Sequence, residues 1–302
     1  MDFPDTIKAI GEQLDGGAAI TPAPEFFEAY EVFSAELANI FVRPWLAVDH
    51  ASRIGEDGSY FRFDIGSRSV VLVRETEGCI HALRNSCLHA GYRICEVEDG
   101  KSDHLYCVYH GWDYALDGRL TDPLLRPNEK DRSRFRLPRY AMQIRRGLIF
   151  VDLSTAAPNP PEPGAIELGA VPEDLGDRVV TQRQRYPTTL NWKHLRQFLW
   201  SSKERVFAAG DCESVTEFGP LSFLAQQNGD AALLRLVPRF PGHTDIELVR
   251  MAAPGTPAPN GDGDRIAAGL RDIGDTIAAA PLGVLERPFY DWYWSTLSPT
   301  AN

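Results

Sequence analysis

Cys87-Leu88-His89, followed after 17 residues by Cys107-Val108-Tyr109-His110, is the stretch on which the reading of this chain turns. Two short segments each supply one cysteine and one histidine. Around them the sequence has the texture of short strands. Gly58 to Gly66 alternates apolar and polar residues between glycines, and Ser69 to Arg74 is a β-branched run. Gly78 to Arg84, Leu105 to His110, Trp112 to Leu116 and Gly147 to Leu153 continue the pattern, with Asp117-Gly118 as a hairpin turn. Residues 45–153 therefore read as one β-rich unit with four metal-ligating side chains on two of its loops.

Two thiols and two imidazoles suit two kinds of centre. Tetrahedral zinc accepts Cys₂His₂, but zinc modules usually pair their cysteines as C-x₂-C. Here each loop pairs one Cys with one His, and the first spacing is C-x-H. A [2Fe–2S] cluster of the Rieske type takes two thiolates on one iron and two imidazoles on the other. Each loop would then give one ligand to each iron and the two loops would clamp the cluster. Cys87 and Cys107 are expected on the structural iron, His89 and His110 on the iron that takes the electron. Tyr109, Gly111 and Trp112 fit a shielded cluster. His50, His81 and His104 are off the pattern and are expected to be structural or solvated. Cys79, Cys95 and Cys212 show no pairing scheme and are expected to be small buried hydrophobes.

The formal net charge of −11 over 302 residues disfavours nucleic acid and anionic membranes. No apolar run reaches the roughly 20 residues a spanning helix needs, and Met1 to Gln13 lacks a secretory apolar core. A cytoplasmic location is the expectation. The expected organisation is an N-terminal helical arm over 1–44, the β-rich domain over 45–153 and a second domain over 154–302. Helical spacing runs from Phe26 to Asn39. Prolines crowd 154–174 as a linker. Strand-like runs at Val179–Tyr186, Ala231–Val237 and Asp245–Met251 alternate with helical ones at Trp192–Ala208 and Asp264–Ala280. Pro254 to Gly263 reads as a loop, and an aromatic helix closes the chain over about Leu285–Leu297. The fold class is α+β.

The stretch Ala82 to His89, with Cys107 to Trp112 and Asp117-Gly118, resembles the Rieske non-heme iron oxygenases. These are the large (α) subunits of aromatic-ring-hydroxylating dioxygenases and related monooxygenases and demethylases. The likeness extends to Gly147 to Val151, Tyr186-Pro187, Asn191-Trp192-Lys193 and, more weakly, Asp264 to Leu297. Ala90 stands where the family commonly has Arg. The resemblance implies a [2Fe–2S] cluster in residues 45–153 and a helix-grip-type catalytic domain in 154–302. It also implies a mononuclear Fe(II) held by two His and one carboxylate, with an acidic residue bridging the two centres.

That second site reads as lost. Aligned on Asn191-Trp192-Lys193, Glu204 and Ala209 fall at the two His positions and Ser201 at the bridging acid. Asp264 is the candidate leftover carboxylate. No His-x₄-His spacing occurs in the chain. The second domain is also short beside the family's. The expectation is therefore a degenerate α-type subunit of a multicomponent oxygenase. It would pass electrons from a ferredoxin or reductase to the mononuclear iron of a catalytically complete partner subunit, in a hetero-oligomer of trimer-like symmetry. Two alternatives stand beside it. One is a complete oxygenase acting on a small aromatic or N-methylated molecule, with His194 and His243 joining Glu204 or Asp264 in a remodelled site. The other is an assembly subunit with a vestigial cluster, in which the closing aromatics Phe289, Tyr290, Trp292, Tyr293 and Trp294 form core or interface.

Overall fold

A computed structural model describes residues 3–17, 19–42, 45–122, 135–158, 160, 171–201, 212–227, 230–257 and 285–297. These fall into two compact units: residues 47–167, and residues 1–46 with 168–302. The first 46 residues are thus grouped with the C-terminal region rather than forming an arm of their own. Glu204, Ala209, Asp264, the helical run Asp264–Ala280 and most of the proline-rich linker lie outside the described residues.

The first unit is built on a seven-stranded sheet. Its strands are β1 (Leu46–His50), β2 (Ser59–Ile65), β3 (Arg68–Arg74), β4 (Ile80–Arg84), β5 (Asp99–Lys101), β9 (Arg139–Arg145) and β10 (Leu148–Ala157), in the order β1-β10-β9-β4-β3-β2-β5. β2 buries Phe61, Phe63 and Ile65 on one face, which is the alternation seen in its sequence. β3 lies between β2 and β4, and its Val70 to Val73 are buried without interruption. A two-residue turn, Arg146-Gly147, joins β9 to β10, and both residues have positive φ (48° and 78°). That is the twist a tight hairpin favours. Gly147 is also fixed by space, since a Cβ there would lie 1.9 Å from His50 Nε2.

A three-stranded sheet, β6 (Leu105–Cys107), β7 (Trp112–Tyr114) and β8 (Leu120–Asp122), completes this unit. One buried cluster joins the two sheets. Val71, Val73 and Leu83 from the large sheet pack with Leu105, Trp112, Tyr114 and Leu120 from the small one, and Cys87 and Cys107 belong to the same cluster. The short strands β1, β5 and β8, and β9, carry too few alternations to stand out in the sequence.

The second unit holds a five-stranded antiparallel sheet in the order β11-β15-β14-β13-β12. The strands are β11 (Val179–Thr188), β12 (Cys212–Phe218), β13 (Ser222–Gln227), β14 (Asp230–Phe240) and β15 (His243–Ala252). Its helices are α1 (Asp5–Asp15), α2 (Glu25–Glu28), α3 (Tyr30–Glu36), α4 (Trp192–Ser201) and α5 (Arg287–Leu297). The single helix expected over Phe26–Asn39 is broken at Ala29, whose backbone is extended, and it ends in a π-helical turn, Leu37–Phe41. α5 places three of the closing aromatics in the core, with Trp292 and Trp294 half-buried. Phe289, Tyr290 and Tyr293 are buried, and Tyr293 meets Phe26 edge-on at 5.2 Å. α1 crosses α5 at Gly11, where a Cβ would strike the Trp294 ring.

Glu36 ties these helices together. Its carboxylate takes Lys193 Nζ at 2.5 Å, Trp192 Nε1 at 2.7 Å and the Tyr293 hydroxyl at 2.8 Å, with both charged side chains only 1% exposed. Lys193 Nζ also lies 4.4 Å from the centre of the Phe26 ring. Burial pulls the lysine's pKa down and Glu36 opposes that pull. Breaking a buried pair strands the remaining charge, at about 3–5 kcal/mol. Lys193→Met should therefore lower chemical-denaturation stability by about that amount. Adding Glu36→Leu should restore a large part of it, and a double variant as unstable as the sum of the singles would show that the pair is not coupled.

A second buried carboxylate, Glu247 on β15, faces Arg235 on β14 and Arg185 on β11 across the sheet. Burial alone would raise its pKa, but Arg235, Arg185, Arg239 and Arg183 hold it at about 2, against an ordinary 4.5. A carboxylate with a depressed folded pKa contributes stability above its unfolded pKa, and that contribution disappears as pH falls through the folded value. Acid unfolding should carry a Glu247 component between about pH 4.5 and about pH 2. Glu247→Gln should flatten that part of the stability profile.

Candidate metal centre

The two ligand loops are closed in the same way. In the first, which follows β4, Gly91 N–H donates to the Cys87 carbonyl at 2.9 Å; in the second, between β6 and β7, Gly111 N–H donates to the Cys107 carbonyl at 2.9 Å. Both glycines sit at positive φ, 75° and 73°. A left-handed residue at that point turns the chain back after each histidine. Asn85 pins the first loop from below. Its Oδ1 accepts from the N–H groups of Ile94 and Cys95, and its Nδ2 donates to the Cys95 carbonyl and to Ser69 Oγ. Cys87 N–H adds a bond to the Tyr92 carbonyl at 2.8 Å.

The four side chains come together as two pairs of unlike surroundings. The Cys87 and Cys107 thiols face each other inside the core, 4% and 2% exposed. The His89 and His110 rings meet at 4.4 Å between centroids, with His89 exposed and His110 half-buried. Among the described residues no three His, Cys, Asp or Glu side chains gather about a single point. A tetrahedral zinc site needs four ligands about one ion, whereas a two-iron cluster divides them two and two. The donor set, divided two and two, fits the cluster. The thiol pair would hold the inner iron and the imidazole pair the outer one.

The surroundings suit thiolates. Burial holds the Cys107 thiol above its ordinary pKa, and backbone N–H groups of Tyr109 and His110 aimed at its sulfur oppose that rise. The Tyr114 hydroxyl lies 3.2 Å from Cys87 Sγ and accepts from the Leu88 N–H at 3.0 Å. A thiolate at Cys87 has no proton to give, so towards it the phenol is the donor. Burial, then the Cys87 contact, pushes the Tyr114 pKa up, so the hydroxyl stays a donor. Trp112 stacks on His89 at 5.0 Å and 9°. Tyr109 stands edge-on to His110 at 4.1 Å and is itself covered by Tyr92, stacked at 3.8 Å. Asn85 and Tyr114 were given no role in the sequence reading. The signal for Tyr114 is strand alternation, which puts Trp112 and Tyr114 on one inward face of β7.

The off-pattern histidines are elsewhere. His50 is buried and bonded to Ser52, His81 bonds Glu75 at 2.7 Å, and His104 is exposed. Cys95 is buried and pushed up to about 12 by that burial. Cys79, expected to be buried, is exposed in the turn before β4.

The remaining site residues belong to the other unit. His194 on α4 lies flat on Phe27 at 4.3 Å, and burial, then Lys193, lowers its pKa to about 4. His243 opens β15 beside Phe240. Ser201 is the last residue of α4. Asn191 bonds the carbonyls of Phe27 and Pro241 and caps α4 through the Lys193 N–H. The Asn191 side chain thereby ties the start of α4 to the β14–β15 turn, so His194 and His243 lie at the same end of this unit.

Residues 44–138 match the family model of the Rieske [2Fe–2S] domain. The glycine betaine monooxygenase oxygenase subunit of Chromohalobacter salexigens is 41% identical over 99 residues, 33% of this chain and 22% of that protein. The corresponding subunit of Pseudomonas aeruginosa is 32% identical over 180 residues, 57% of this chain and 40% of that protein. The chain thus matches less than half the length of either relative. Among solved structures, the quaternary ammonium Rieske monooxygenase CntA aligns over 84% of both chains at TM-score 0.64 and 14% identity. Naphthalene 1,2-dioxygenase from Rhodococcus sp. aligns over 97% of this chain and 85% of that one at TM-score 0.60 and 18% identity, a likeness of fold. The match places a Rieske [2Fe–2S] domain in residues 44–138 of this chain. The sequence likeness is to the α subunits of Rieske oxygenases, and the helix-and-sheet domain shares their fold.

A donor to a ligand sulfur stabilises the more negative, reduced state of the cluster. Tyr114→Phe should lower the reduction potential by roughly 30–60 mV, or about 0.7–1.4 kcal/mol for one electron. A redox titration followed by circular dichroism reads this directly. An unchanged potential would mean that the phenol does not donate to Cys87 in the loaded protein.

Proposed function

We propose that this chain is the oxygenase component of a Rieske oxygenase and oxidises a small N-methylated or aromatic molecule with O₂. The observation that carries the reading is the paired site: two thiols in the core and two imidazoles at the surface, on a chain whose relatives are named as oxygenase subunits. Bound there, a [2Fe–2S] cluster supplies a one-electron carrier. The protein's own part is to keep the sulfurs dry, to aim N–H and O–H donors at them, and to leave the His89 and His110 edge open to partners. Electrons would come from a ferredoxin or reductase. Inter-subunit electron transfer is described for CntA.

The substrate would be oxidised at a mononuclear iron with a changed ligand set. His194 and His243 are the candidate imidazoles, and support for them is their common position beside Asn191. The His194 pKa of about 4 keeps that ring neutral at physiological pH, which leaves a nitrogen lone pair for a metal. Glu204 or Asp264 would supply the carboxylate.

A second reading has its own support in the sequence. Ala209 has no ligating atom and no His-x₄-His occurs. On that reading the chain relays electrons to the iron of a catalytically complete partner subunit. Iron and acid-labile sulfide per purified chain separate the two. About three irons for two sulfides is the expected result for a complete oxygenase, and His194→Ala or His243→Ala should then remove the third iron alone. About two irons for two sulfides would refute the complete enzyme in favour of the relay.

A further inference from the structure

The charge of this chain is unevenly distributed. Between residues 119 and 146 the sequence holds nine basic and three acidic residues, a net of +6, so the rest of the chain carries −17 of the total −11. The described part of this segment builds a compact basic surface. Asp117, in the β7–β8 turn, receives Arg119 Nε at 2.9 Å, Arg136 Nη2 at 3.1 Å and Arg139 Nη2 at 3.9 Å. The Asp117 carbonyl also accepts from Arg136 and Arg139. Arg84 is exposed beside them, its backbone N–H bonded to the carbonyl of Pro138, next to Arg139. Three guanidinium groups therefore surround one carboxylate, with Arg84 on the neighbouring strand beside Pro138. Glu75 is the further acid that acts on Arg139, and it is already bonded to His81. The crowding is felt within the cluster, since burial and then Arg136 lower the Arg139 pKa.

This surface lies on the unit that holds the metal ligands. β7 runs from Trp112, which stacks on His89, towards Asp117. Asp117 is five positions along from Trp112, so their Cα atoms are within about 18 Å even for a fully extended chain. Leu137, between Arg136 and Arg139, is buried in the same cluster as Cys87 and Cys107.

We infer that Arg84, Arg119, Arg136 and Arg139 form the docking surface for an acidic electron-donor protein. The inference rests on the Rieske reading above and adds where that donor lands. An acidic protein approaching a chain of charge −11 is repelled by most of its surface. A local basic patch attracts and orients it, with an on-rate that falls as salt rises. Placing that patch on the cluster-bearing unit steers productive encounters and disfavours the others.

The test is anaerobic stopped-flow reduction of the full, cluster-loaded chain, with pre-reduced plant-type [2Fe–2S] ferredoxin as an acidic probe donor. Dithionite is the small-molecule control. Arg84→Glu/Arg119→Glu should cut the bimolecular rate by roughly tenfold or more at low ionic strength. The difference should largely vanish at about 0.5 M salt, where screening is complete within a few ångströms. The dithionite rate and the EPR signal should not change. Arg84→Glu alone spares the Asp117 cluster and should show the same loss in part, and Arg84→Lys/Arg119→Lys should retain the rate. Equal rates in wild type and the charge-reversed variants would overturn the docking surface while leaving the cluster reading intact. A changed sedimentation coefficient in the variants would overturn it in favour of contact with a second copy of this chain. Absence of a Rieske-type EPR signal in wild type would remove the cluster reading, and the docking surface with it.

Discussion

The two sulfurs that would bind iron are core atoms. Cys87 and Cys107 belong to the buried cluster that joins the seven-stranded sheet to the three-stranded one. Much else in the first unit follows from that constraint. The loops must enter the core with their cysteines and leave it with their histidines, which forces a reversal soon after each Cys. Gly91 and Gly111 provide it at positive φ, each with the same hydrogen bond back to its cysteine carbonyl. Once inside, the sulfurs need donors, because a buried thiolate without them is costly. Tyr114 and the backbone of the second loop point theirs at the sulfurs. Folding and metal binding are therefore linked. The loops are shaped by the chain, and burial favours the protonated Cys107 thiol until a metal displaces the proton.

The second unit depends on a different buried charge. Glu36 ends α3, yet its three partners come from α4 and α5, more than 150 residues away in sequence. Such a pair contributes little net stability compared with apolar packing, because both ions have been taken out of water. What it supplies is exactness of position: a carboxylate with three convergent donors is satisfied in one arrangement only. The first residues of the chain are in this way bound into the C-terminal half, against the simpler picture of a free arm.

The parts of the structure that were legible in the sequence are those with a local signature. Cysteine and histidine spacing named four candidate ligands, alternation found β2, a β-branched run found β3, strand-like runs found β4, β11, β14 and β15, and aromatic spacing found α5. What escaped had no local signature. β5 is three exposed residues that form a strand only because β2 offers an edge. The break at Ala29 is invisible in a run of good helical spacing. Tyr114 looks like any strand tyrosine until the fold brings it to Cys87 across 26 intervening residues. The role of Asn85 is legible only when the far end of the first loop, Ile94 and Cys95, has returned to it.

Asn191-Trp192-Lys193 shows why a retained motif and a retained activity are separate matters. The resemblance to the oxygenases leans on these three residues in the second unit, and each has a mechanical task. Asn191 caps α4 and fastens it to Phe27 and Pro241, Trp192 donates to Glu36, and Lys193 neutralises Glu36 in the core. Replacing any of them would leave a buried polar group unpaired, which costs stability whether or not a metal is bound nearby. Folding alone is thus enough to hold the motif in place while the positions further along, where Glu204 and Ala209 stand, change. The motif is evidence for the helix and its setting. The metal chemistry of the second unit has to be read from the iron content, not from the signature that opens its helix.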